Sequence, residues 1–357
     1  MFVSAEVAAS LHAMLSEGEI QRIDWIILKR GKMRNTTIIY QYCRKRKVNV
    51  LWLGTVAYHY LLFGTLCCLL RKTKTILTIH DANSFFEPKP GLQLRSSLNF
   101  MGKRLLAKSV NGFSTLLTST KTYIENKYKP RRPISCIPGS FFNGMSGPRE
   151  KDMSPLVIVI PGSVDTKRRD FAQLFEMSKQ WHSQNKKLEI ILLGGARDTA
   201  SRSVLEQLKK MSTPALTFIT YQEAHISQEE YDRQLERCDF VYAPLQKTFA
   251  EESALPEQYG YTKSSGCFFD AVRFGKPLLL PAAIFLPDEL APQTIVHSSP
   301  EDLIHFITHL TSEDLHRIHR EAIDKAKRFA LENIARQLDD FLTALPKRVN
   351  STPAVPG

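Results

Sequence analysis

Short runs of apolar, β-prone residues alternate with helix-length amphipathic segments along the whole chain. Ten such runs are predicted as strands, at residues 23–28, 48–53, 75–79, 116–119, 134–137, 156–160, 188–193, 216–220, 240–243 and 278–280. Strands that are separated by helices form parallel sheets with right-handed crossovers. The pattern therefore predicts an α/β protein with two Rossmann-like, doubly wound domains.

The two ends of the chain depart from a simple strand–helix alternation. The first 16 residues look helical, whereas a doubly wound domain normally opens with the central strand of its sheet, so we expect that first strand to be missing. Apolar residues recur every three or four positions from 312 to 345, which predicts one long helix with a docking face. A stretch rich in Gly, Pro and charge at 141–155 is the natural linker. The expected divisions are an N-terminal domain (1–145), a C-terminal domain (146–311), the long helix (312–345) and a loose tail (346–357).

An uncharged stretch from 48 to 70 is long enough to cross a bilayer, and basic residues flank it. The same stretch can instead be divided into a buried strand and a buried helix. Polar residues within it, among them Asn49, Tyr58 and His59, make it a poor membrane span. We therefore predict the strand and helix, with a membrane-anchored protein as the alternative.

Charge is distributed unequally between the two halves of the 357-residue chain. The net charge is +12, but residues 1–150 hold 23 Lys and Arg against 8 Asp and Glu, and the remainder is slightly acidic. Such an excess indicates an anionic surface or ligand for the N-terminal half.

Composition also excludes several classes of protein. The first residues lack a basic segment and a small-residue cleavage site, so we expect no secretory signal. The cysteines have no metal-ligand or C-x-x-C spacing and are predicted to be free thiols; they are Cys43, Cys67, Cys68, Cys136, Cys238 and Cys267. There is no G-x-G-x-x-G fingerprint, P-loop, G-x-S-x-G elbow or H-E-x-x-H motif.

A first candidate site follows the strand predicted at 156–160. The strand ends at Gly162 and Ser163, and a short loop then carries Lys167, Arg168 and Arg169. Cations of this kind suit a diphosphate, because each guanidinium offers paired donors to phosphate oxygens. The alternative is a solvated basic helix start, although cations at a helix N-terminus oppose the helix dipole.

A second candidate site is the start of the helix near residue 266. Lys263, Ser264, Ser265 and Gly266 leave backbone N–H groups open to an anion, and the helix dipole adds attraction. Asp270 lies one turn further on and could accept hydrogen bonds from ribose hydroxyls. The alternative is an ordinary serine N-cap with a surface aspartate.

A third candidate site is formed by His80 and Asp81, which end a buried strand of the basic domain. A histidine there can donate to a sugar hydroxyl or to charge that develops at a reacting centre. A single histidine at a strand end is also common as a structural residue.

Taken in order, these segments resemble the GT-B nucleotide-sugar glycosyltransferases, in particular the large retaining group called "glycosyl transferases group 1" (family 4-like). The segments that carry the resemblance are TILTIHDAN, TLLTSTKTYIENKY, ISCIPGSFFN, IPGSVDTKRRDF, LEIILLGG, CDFVYAPL and GCFFDAVRFGKPLLLPA. Each match is loose, and the order and spacing carry the resemblance over nearly the whole chain. The final helix resembles the one that crosses back onto the first domain.

The resemblance implies roles for several residues and also shows departures. Lys167 falls on the family's phosphate-binding lysine, and Asp270 falls on the second glutamate of its paired-glutamate motif. Ser163 stands where the family has an arginine, and Arg168, Arg169 or Lys263 could substitute. Thr262 stands where the family has the first glutamate.

The resemblance implies transfer of a sugar from a nucleoside-diphosphate sugar, held by the C-terminal domain, to an acceptor on the N-terminal domain. His80 and Asp81 are the expected catalytic residues, with retention of configuration and no metal or other cofactor. The basic N-terminal half favours a glycan or lipid-linked acceptor, as in cell-surface polysaccharide synthesis, and a cytoplasmic protein on an anionic membrane surface. Nucleic acid is not expected as a partner, because no motif for it is present. The alternative is a catalytically inactive GT-B-like binding or scaffold protein.

Overall fold

The computed structural model describes residues 1–29, 31–87, 94–144, 154–181, 186–196, 198–221, 226–250 and 255–346. Most of the predicted linker (145–153) and of the predicted tail (347–357) lies outside the described residues. The described chain has two large parallel sheets, of four and six strands, with helices between their strands, which confirms the predicted α/β class; two further two-stranded ladders stand apart from them.

The described strands are β1 (Phe2–Val3), β2 (Ile26–Ile27), β3 (Val50–Leu53), β4 (Lys74–Ile79), β5 (Gly112–Thr115), β6 (Ile134–Cys136), β7 (Leu156–Pro161), β8 (Leu188–Leu193), β9 (Leu216–Thr220), β10 (Phe240–Tyr242), β11 (Thr248–Phe249), β12 (Glu257–Gln258), β13 (Leu278–Pro281) and β14 (Thr294–His297).

The described helices are α1 (Ala5–Met14), α2 (Glu17–Gln21), α3 (Lys32–Lys45), α4 (Tyr60–Leu69), α5 (Ala82–Phe86), α6 (Leu94–Ser109), α7 (Thr118–Lys127), α8 (Ala172–Gln180), α9 (Thr199–Lys210), α10 (Gln228–Arg237), α11 (Gly266–Arg273), α12 (Pro300–His309), α13 (Ser312–Ala326) and α14 (Leu331–Ala344). Two 3₁₀ turns, Ala291–Gln293 and Lys327–Phe329, accompany them.

The N-terminal sheet contains β3, β4, β5 and β6 in chain order, all parallel. Side chains of α3, α4, α6 and α7 pack together on one face of this sheet, against Leu77 and Ile79. Within the described ranges no strand pairs with the outer edge of β3, where the first strand of a doubly wound sheet would lie. A short strand, β1, does open the chain, but among the described residues it pairs with β2 as a separate two-residue ladder, so the expected first strand is absent from the β3–β6 sheet rather than from the chain.

The C-terminal sheet has the order β14-β13-β10-β7-β8-β9, with every pairing parallel. All six residues of β7 are buried, as expected for an uninterrupted apolar strand that is covered on both faces. The order reverses between β7 and β10, and this is the strand order of dinucleotide-binding domains. Open sheets of this kind bind ligands outside the carboxyl ends of the two strands where the order reverses.

The strand predicted at 116–119 is wrong. The third position of the N-terminal sheet is taken by β5 instead, and α7 begins at Thr118. The sequence of β5 does not have the apolar pattern of a strand because its residues include small ones. Gly112 has to be small, since a Cβ atom there would lie 2.5 Å from the Leu345 side chain, which packs against it. The apolar pair that suggested a strand provides a buried turn, in which Leu117 is the N-cap of α7.

The single helix predicted from 312 to 345 is also wrong, because Ala330 has an extended backbone that separates α13 from α14. α13 packs on the C-terminal domain, where His319 Nε2 lies 2.8 Å from the Asp239 carbonyl oxygen. Phe341 of α14 instead packs on Ile76, on the opposite face of the N-terminal sheet. The helix breaks because the chain must turn from one domain to the other.

The chain passes between the domains twice, and the two passes meet. Phe329, in the turn before α14, is buried in a C-terminal core cluster. Its carbonyl oxygen accepts a hydrogen bond of 2.9 Å from the amide of Phe142, which lies on the first pass. One backbone hydrogen bond therefore ties both connections together.

The uncharged stretch from 48 to 70 folds as β3, a loop and α4. Leu51, Leu53, Leu66 and Cys67 in this stretch are buried in the N-terminal core. None of the helices in the described ranges has the length and apolar character that a membrane crossing needs.

Candidate functional site

A cavity of about 760 Å³ lies between the two domains. Its walls include the residues that follow β4 and β7, and the first turn of α11. A volume of this size is typical of small-molecule sites. The cavity walls include eleven of the twelve predicted site residues: His80, Asp81, Gly162, Ser163, Arg168, Arg169, Lys263, Ser264, Ser265, Gly266 and Asp270.

Lys167 is the predicted site residue that the structure does not place on the cavity wall. Its side chain is exposed, and its amide donates to Asp165 Oδ1 over 2.9 Å. Arg168 does reach the cavity, at its rim, where its Nε lies 3.2 Å from Asp165 Oδ2. The loop therefore directs its three consecutive cations to three different environments.

Arg169 points into the protein beneath Gly162 and is only 8% exposed. Its Nη2 donates to the Pro161 carbonyl oxygen and lies 3.5 Å from Cys267 Sγ. Its Nη1 is buried and has no hydrogen-bond partner among the described residues. Gly162 has a φ of +91°, and a Cβ atom there would lie 2.9 Å from Arg169 Nη2. A glycine is required here so that the guanidinium can lie directly against the turn.

The loop that holds Arg169 is fixed at the point where the sheet order reverses. Arg169 forms an antiparallel bridge with Leu245, just beyond β10. The amide of Asp170 donates to the Pro244 carbonyl oxygen over 2.8 Å. The segments after β7 and β10 are therefore joined, which locates the buried guanidinium in the crevice where such sheets bind ligands.

The N-terminus of α11 faces the same cavity. Ser265 is the N-cap residue, with an extended backbone and no side-chain capping hydrogen bond. A Cβ atom on Gly266 would meet no atom within 4 Å. The first amides of a helix lack intrahelical partners and carry its positive dipole end, so this terminus can accept an anion.

Asp270 lies one turn into α11 and contacts Tyr231, whose hydroxyl donates to Asp270 Oδ2 over 2.9 Å. Burial raises the pKa of Asp270 to about 6, against the lowering effect of that hydrogen bond and of nearby Arg273 and Arg169. The carboxylate is thus poorly solvated and would gain from donors such as vicinal hydroxyls.

Lys263 and Asp81 form an ion pair across the cleft, from opposite domains. Lys263 is 8% exposed, and its Nζ lies 5.2 Å from the centre of the Phe249 ring. Next to the pair, the amide of Ala82 donates to the Thr262 carbonyl oxygen over 3.0 Å. The predicted donor-side cation is therefore neutralised by the predicted catalytic carboxylate.

His80 lies beside this ion pair but is engaged with the backbone. Its Nε2 lies 2.8 Å from the Gly54 carbonyl oxygen and 3.3 Å from Thr55 Oγ1. A carbonyl oxygen only accepts, so Nε2 carries the proton and the ring orientation is fixed.

Glu257 lies next to the candidate site but was not among the residues predicted from the sequence. It is buried in the C-terminal domain, and its Oε1 accepts a 2.7 Å hydrogen bond from the Ser84 amide of the N-terminal domain. Burial raises the pKa of this carboxyl. Nothing in the local sequence distinguishes it, because its partner is 173 positions away.

The N-terminal wall of the cavity also contains residues that were not predicted. It includes Tyr58 and Tyr60 near the start of α4, and Asn99, Phe100 and Lys103 of α6. Small-molecule sites are typically lined by apolar and aromatic side chains together with a few polar groups. Their helical spacing gave no signal beyond ordinary packing.

No group of three or more His, Cys, Asp or Glu side chains in the described ranges is arranged to hold a metal ion.

Comparison with known proteins supports the fold assignment. No protein-family model matches the sequence, and no curated protein matches it by sequence. Among solved structures, the chain is similar to sucrose-phosphate synthase from Thermosynechococcus elongatus, with a TM-score of 0.62 and 12% identity over 89% of this chain and 82% of that one. It is also similar to HepE from Anabaena, in complex with UDP and glucose, with a TM-score of 0.58 and 12% identity over 92% of this chain and 88% of that one.

A third similar structure is the pneumococcal O-GlcNAc transferase GtfA, in complex with UDP and GlcNAc. The TM-score is 0.56, with 12% identity over 88% of this chain and 60% of that one. All three are GT-B glycosyltransferases. The chain therefore has the GT-B fold, in which two Rossmann-like domains face each other across a ligand-sized cleft.

Proposed function

We propose that this protein is a glycosyltransferase that uses a nucleoside-diphosphate sugar as its donor. The proposal is supported by the GT-B fold and by two similar structures, HepE and GtfA, that are complexes with UDP and a sugar. It is supported further by the grouping of eleven predicted site residues around one cavity.

The observation that carries the proposal is the buried Nη1 of Arg169, which has no hydrogen-bond partner in the part of the chain that the structure describes. Burial of a guanidinium is expensive unless its donors are matched, and a diphosphate oxygen would supply the missing acceptor. The amide-rich start of α11 borders the same cavity and attracts the same charge. Two independent anion-attracting features therefore converge on one place.

Donor binding on this arrangement assigns a role to each side of the cavity. The diphosphate lies between Arg169, Arg168 and the Ser264–Gly266 amides, and the ribose hydroxyls donate to Asp270. Lys263 joins the diphosphate site when the incoming anion replaces the Asp81 carboxylate as its partner. Asp81 is then released on the acceptor side of the cleft.

Catalysis in this proposal is largely electrostatic. The cations and amides stabilise the nucleoside diphosphate as the glycosidic bond breaks, in a cleft from which water is excluded. His80 and Asp81 face the reacting sugar, and His80 is held in one orientation by the Gly54 carbonyl oxygen. We propose a metal-independent reaction that retains the configuration of the donor sugar.

The acceptor in this proposal is a glycan or a lipid-linked glycan, in cell-surface polysaccharide synthesis. The N-terminal wall of the cavity and the cationic N-terminal half support this assignment. The protein would be cytoplasmic and peripheral to an anionic membrane surface, without a nucleic-acid partner.

A GT-B-shaped binding protein without transferase activity is the second candidate. It is favoured by the position of Thr262, which is buried and whose hydroxyl accepts a 2.9 Å hydrogen bond from the Gln258 amide. A hydroxyl held in this way supplies no carboxylate to a donor sugar. The exposed position of Lys167 points in the same direction.

Two measurements separate these functions. Calorimetry of the full chain with UDP, GDP and ADP tests the donor site, and binding of one of them is expected. Hydrolysis or transfer of the matching nucleotide-sugars, measured by released diphosphate, then tests for an enzyme. His80→Ala is expected to keep diphosphate affinity and lose turnover. Absence of diphosphate binding would contradict both candidates, whereas binding without turnover would favour the binding protein.

A further inference from the structure

Two neighbouring helices of the N-terminal domain expose aliphatic side chains to solvent. Leu61 and Leu69 of α4 and Leu98 and Met101 of α6 are between 36% and 58% exposed. We name the outward surface of these two helices the α4–α6 face. Large exposed apolar side chains in one patch mark an interaction site more often than a free surface.

The close packing of α4 on α6 makes this patch continuous. A Cβ atom on Gly102 would lie only 2.4 Å from the Leu61 amide nitrogen, and one on Gly64 would lie 2.8 Å from Leu105 Cγ. Both helices cover the same side of the N-terminal sheet, so their exposed sides point away from that sheet together. The exposed positions on α4 are Leu61, Thr65, Cys68 and Leu69, none of which carries a charge.

Cations surround the apolar patch. Arg71 and Lys72 follow the end of α4, and Arg95, Arg104 and Lys108 lie on α6; all five are exposed. Within the described ranges, none of the five forms an ion pair. Arg104 lies over the Phe100 ring, 4.7 Å from its centre, but no carboxylate neutralises it, so the charge on this face is available to an external partner.

Acidic residues are almost absent from this part of the chain. Between Asp24 and Glu125 the sequence contains only Asp81 and Glu87. Both are occupied, since Asp81 pairs with Lys263 and Glu87 lies 3.3 Å from Lys127. A binding partner that complements the α4–α6 face would therefore have an anionic surface with an apolar layer beneath it.

We infer that the α4–α6 face docks on an anionic lipid bilayer, with its leucine and methionine side chains in the interface and its cations at the headgroups. Aliphatic side chains ringed by Lys and Arg are the pattern of interfacial helices, which bind by apolar burial together with attraction to anionic lipids. A nucleic acid would use the cations but has no matching use for the aliphatic side chains.

Docking through this face would also set the orientation of the cleft. Residues of the same helices, Tyr60 of α4 and Phe100 and Lys103 of α6, line the cavity between the domains. A bilayer on one side of the helix pair therefore lies next to the acceptor side of the cavity. Only this consequence rests on the proposed transferase function; the docking itself does not.

The test is co-sedimentation of the full chain with phosphatidylcholine vesicles, with and without phosphatidylserine. The double variant Arg71→Gln/Lys72→Gln is expected to bind phosphatidylserine vesicles about 25-fold more weakly, at about five-fold per cation. Its matched control is Lys209→Gln/Lys210→Gln, an exposed adjacent pair at the end of α9, which should bind like the wild type.

A second pair of variants tests the apolar contribution. Leu98→Ser/Met101→Ser should bind about ten-fold or more weakly, whereas Phe285→Ser/Leu331→Ser, exposed elsewhere, should not. The tryptophan of Met101→Trp should shift to shorter emission wavelength and be quenched by brominated lipid, whereas that of Leu331→Trp should show neither effect. Unchanged melting temperatures will show that these exposed substitutions leave the fold intact.

The inference is overturned if the wild type does not bind phosphatidylserine vesicles. It is also overturned if the charge variant and the apolar variant of the α4–α6 face both co-sediment with vesicles as strongly as their controls. Loss of binding only in the charge variant would overturn the insertion of the apolar side chains. Nucleoside-diphosphate binding is measured in parallel on every variant. A protein that docks on vesicles but binds no nucleotide would retain this inference and remove the transferase proposal.

Discussion

Replacement of Arg169 by methionine tests the proposed diphosphate site most directly. Methionine has a similar length and can fill the space beneath Gly162, but it carries no donors. The substitution therefore removes the buried Nη1 that has no partner among the described residues. It also removes the contacts of Nη2 with the Pro161 carbonyl oxygen and with Cys267.

Two opposite effects are expected from this substitution. A hydrogen bond to a charged group contributes about 1.5–3 kcal/mol, so diphosphate affinity should fall by roughly 10- to 100-fold. Stability should behave differently. Loss of the Nη2 hydrogen bond leaves the Pro161 carbonyl oxygen with the Cys267 thiol as its side-chain donor, at 3.4 Å, which costs at most about 1–3 kcal/mol, whereas removal of an incompletely matched buried charge recovers several kcal/mol. The melting temperature should therefore be unchanged or higher.

The measurements are calorimetry with the nucleoside diphosphate that the wild type binds, and scanning calorimetry without ligand. Arg168→Met is the matched control, because Arg168 occupies the same loop but lies at the rim, beside Asp165. Its affinity loss should be no more than a few-fold, since exposed ion pairs contribute little. Lys167→Met should leave the affinity unchanged.

Two outcomes would refute the reasoning. Diphosphate affinity equal to the wild type would show that Arg169 does not contact the ligand. A large fall in melting temperature together with lost binding would show that Arg169 holds its loop in place instead. Higher stability with weaker binding is the combination that identifies a ligand-binding group.

Three further results are expected. Asp81→Asn should strengthen diphosphate binding several-fold in calorimetry, because the carboxylate no longer competes for Lys263; weaker or equal binding would argue against a shared lysine. Nucleoside affinity, measured by calorimetry, should rise between pH 5 and 7, because burial raises the pKa of Asp270 to about 6 and its ionised form is the stronger acceptor for hydroxyl donors. Asp270→Asn should abolish this dependence. Gly194→Ala should lower the free energy of unfolding by about 1–3 kcal/mol and weaken binding, because its Cβ atom would lie 2.2 Å from the Gly162 carbonyl oxygen; urea unfolding equal to the wild type would refute this.

The C-terminal sheet could be predicted from sequence because its strands are buried on both faces. Continuous apolar runs such as β7 and β8 have few alternative structures, and their predicted bounds agree with the observed ones to within a residue. β14 was not predicted, since Thr294–His297 is short and only partly buried. β5 was misplaced because its Gly112 makes room for the side chains of Phe341 and Leu345, which lie more than 200 positions away.

The candidate site could be predicted as a set of segments, but not as a set of contacts. The cationic loop and the start of α11 follow from local chemistry, and both reach the cavity. The bridge between Arg169 and Leu245 decides which of the three consecutive cations turns inward. This long-range pairing could not be predicted from the local sequence. The pairing of Asp81 with Lys263 likewise joins residues 182 positions apart.

The hydrogen bond between Phe142 and Phe329 has a mechanical consequence for the two lobes. Because the two connections are joined at one point, we expect the domains to move relative to each other by rotation about that point, as a hinge, rather than by sliding. Contacts across the cleft oppose this rotation. One of them is the 3.0 Å hydrogen bond from the Ala82 amide to the Thr262 carbonyl oxygen. A ligand that enters the cleft therefore acts far from the hinge point, where replacement of a few contacts changes the angle between the two domains.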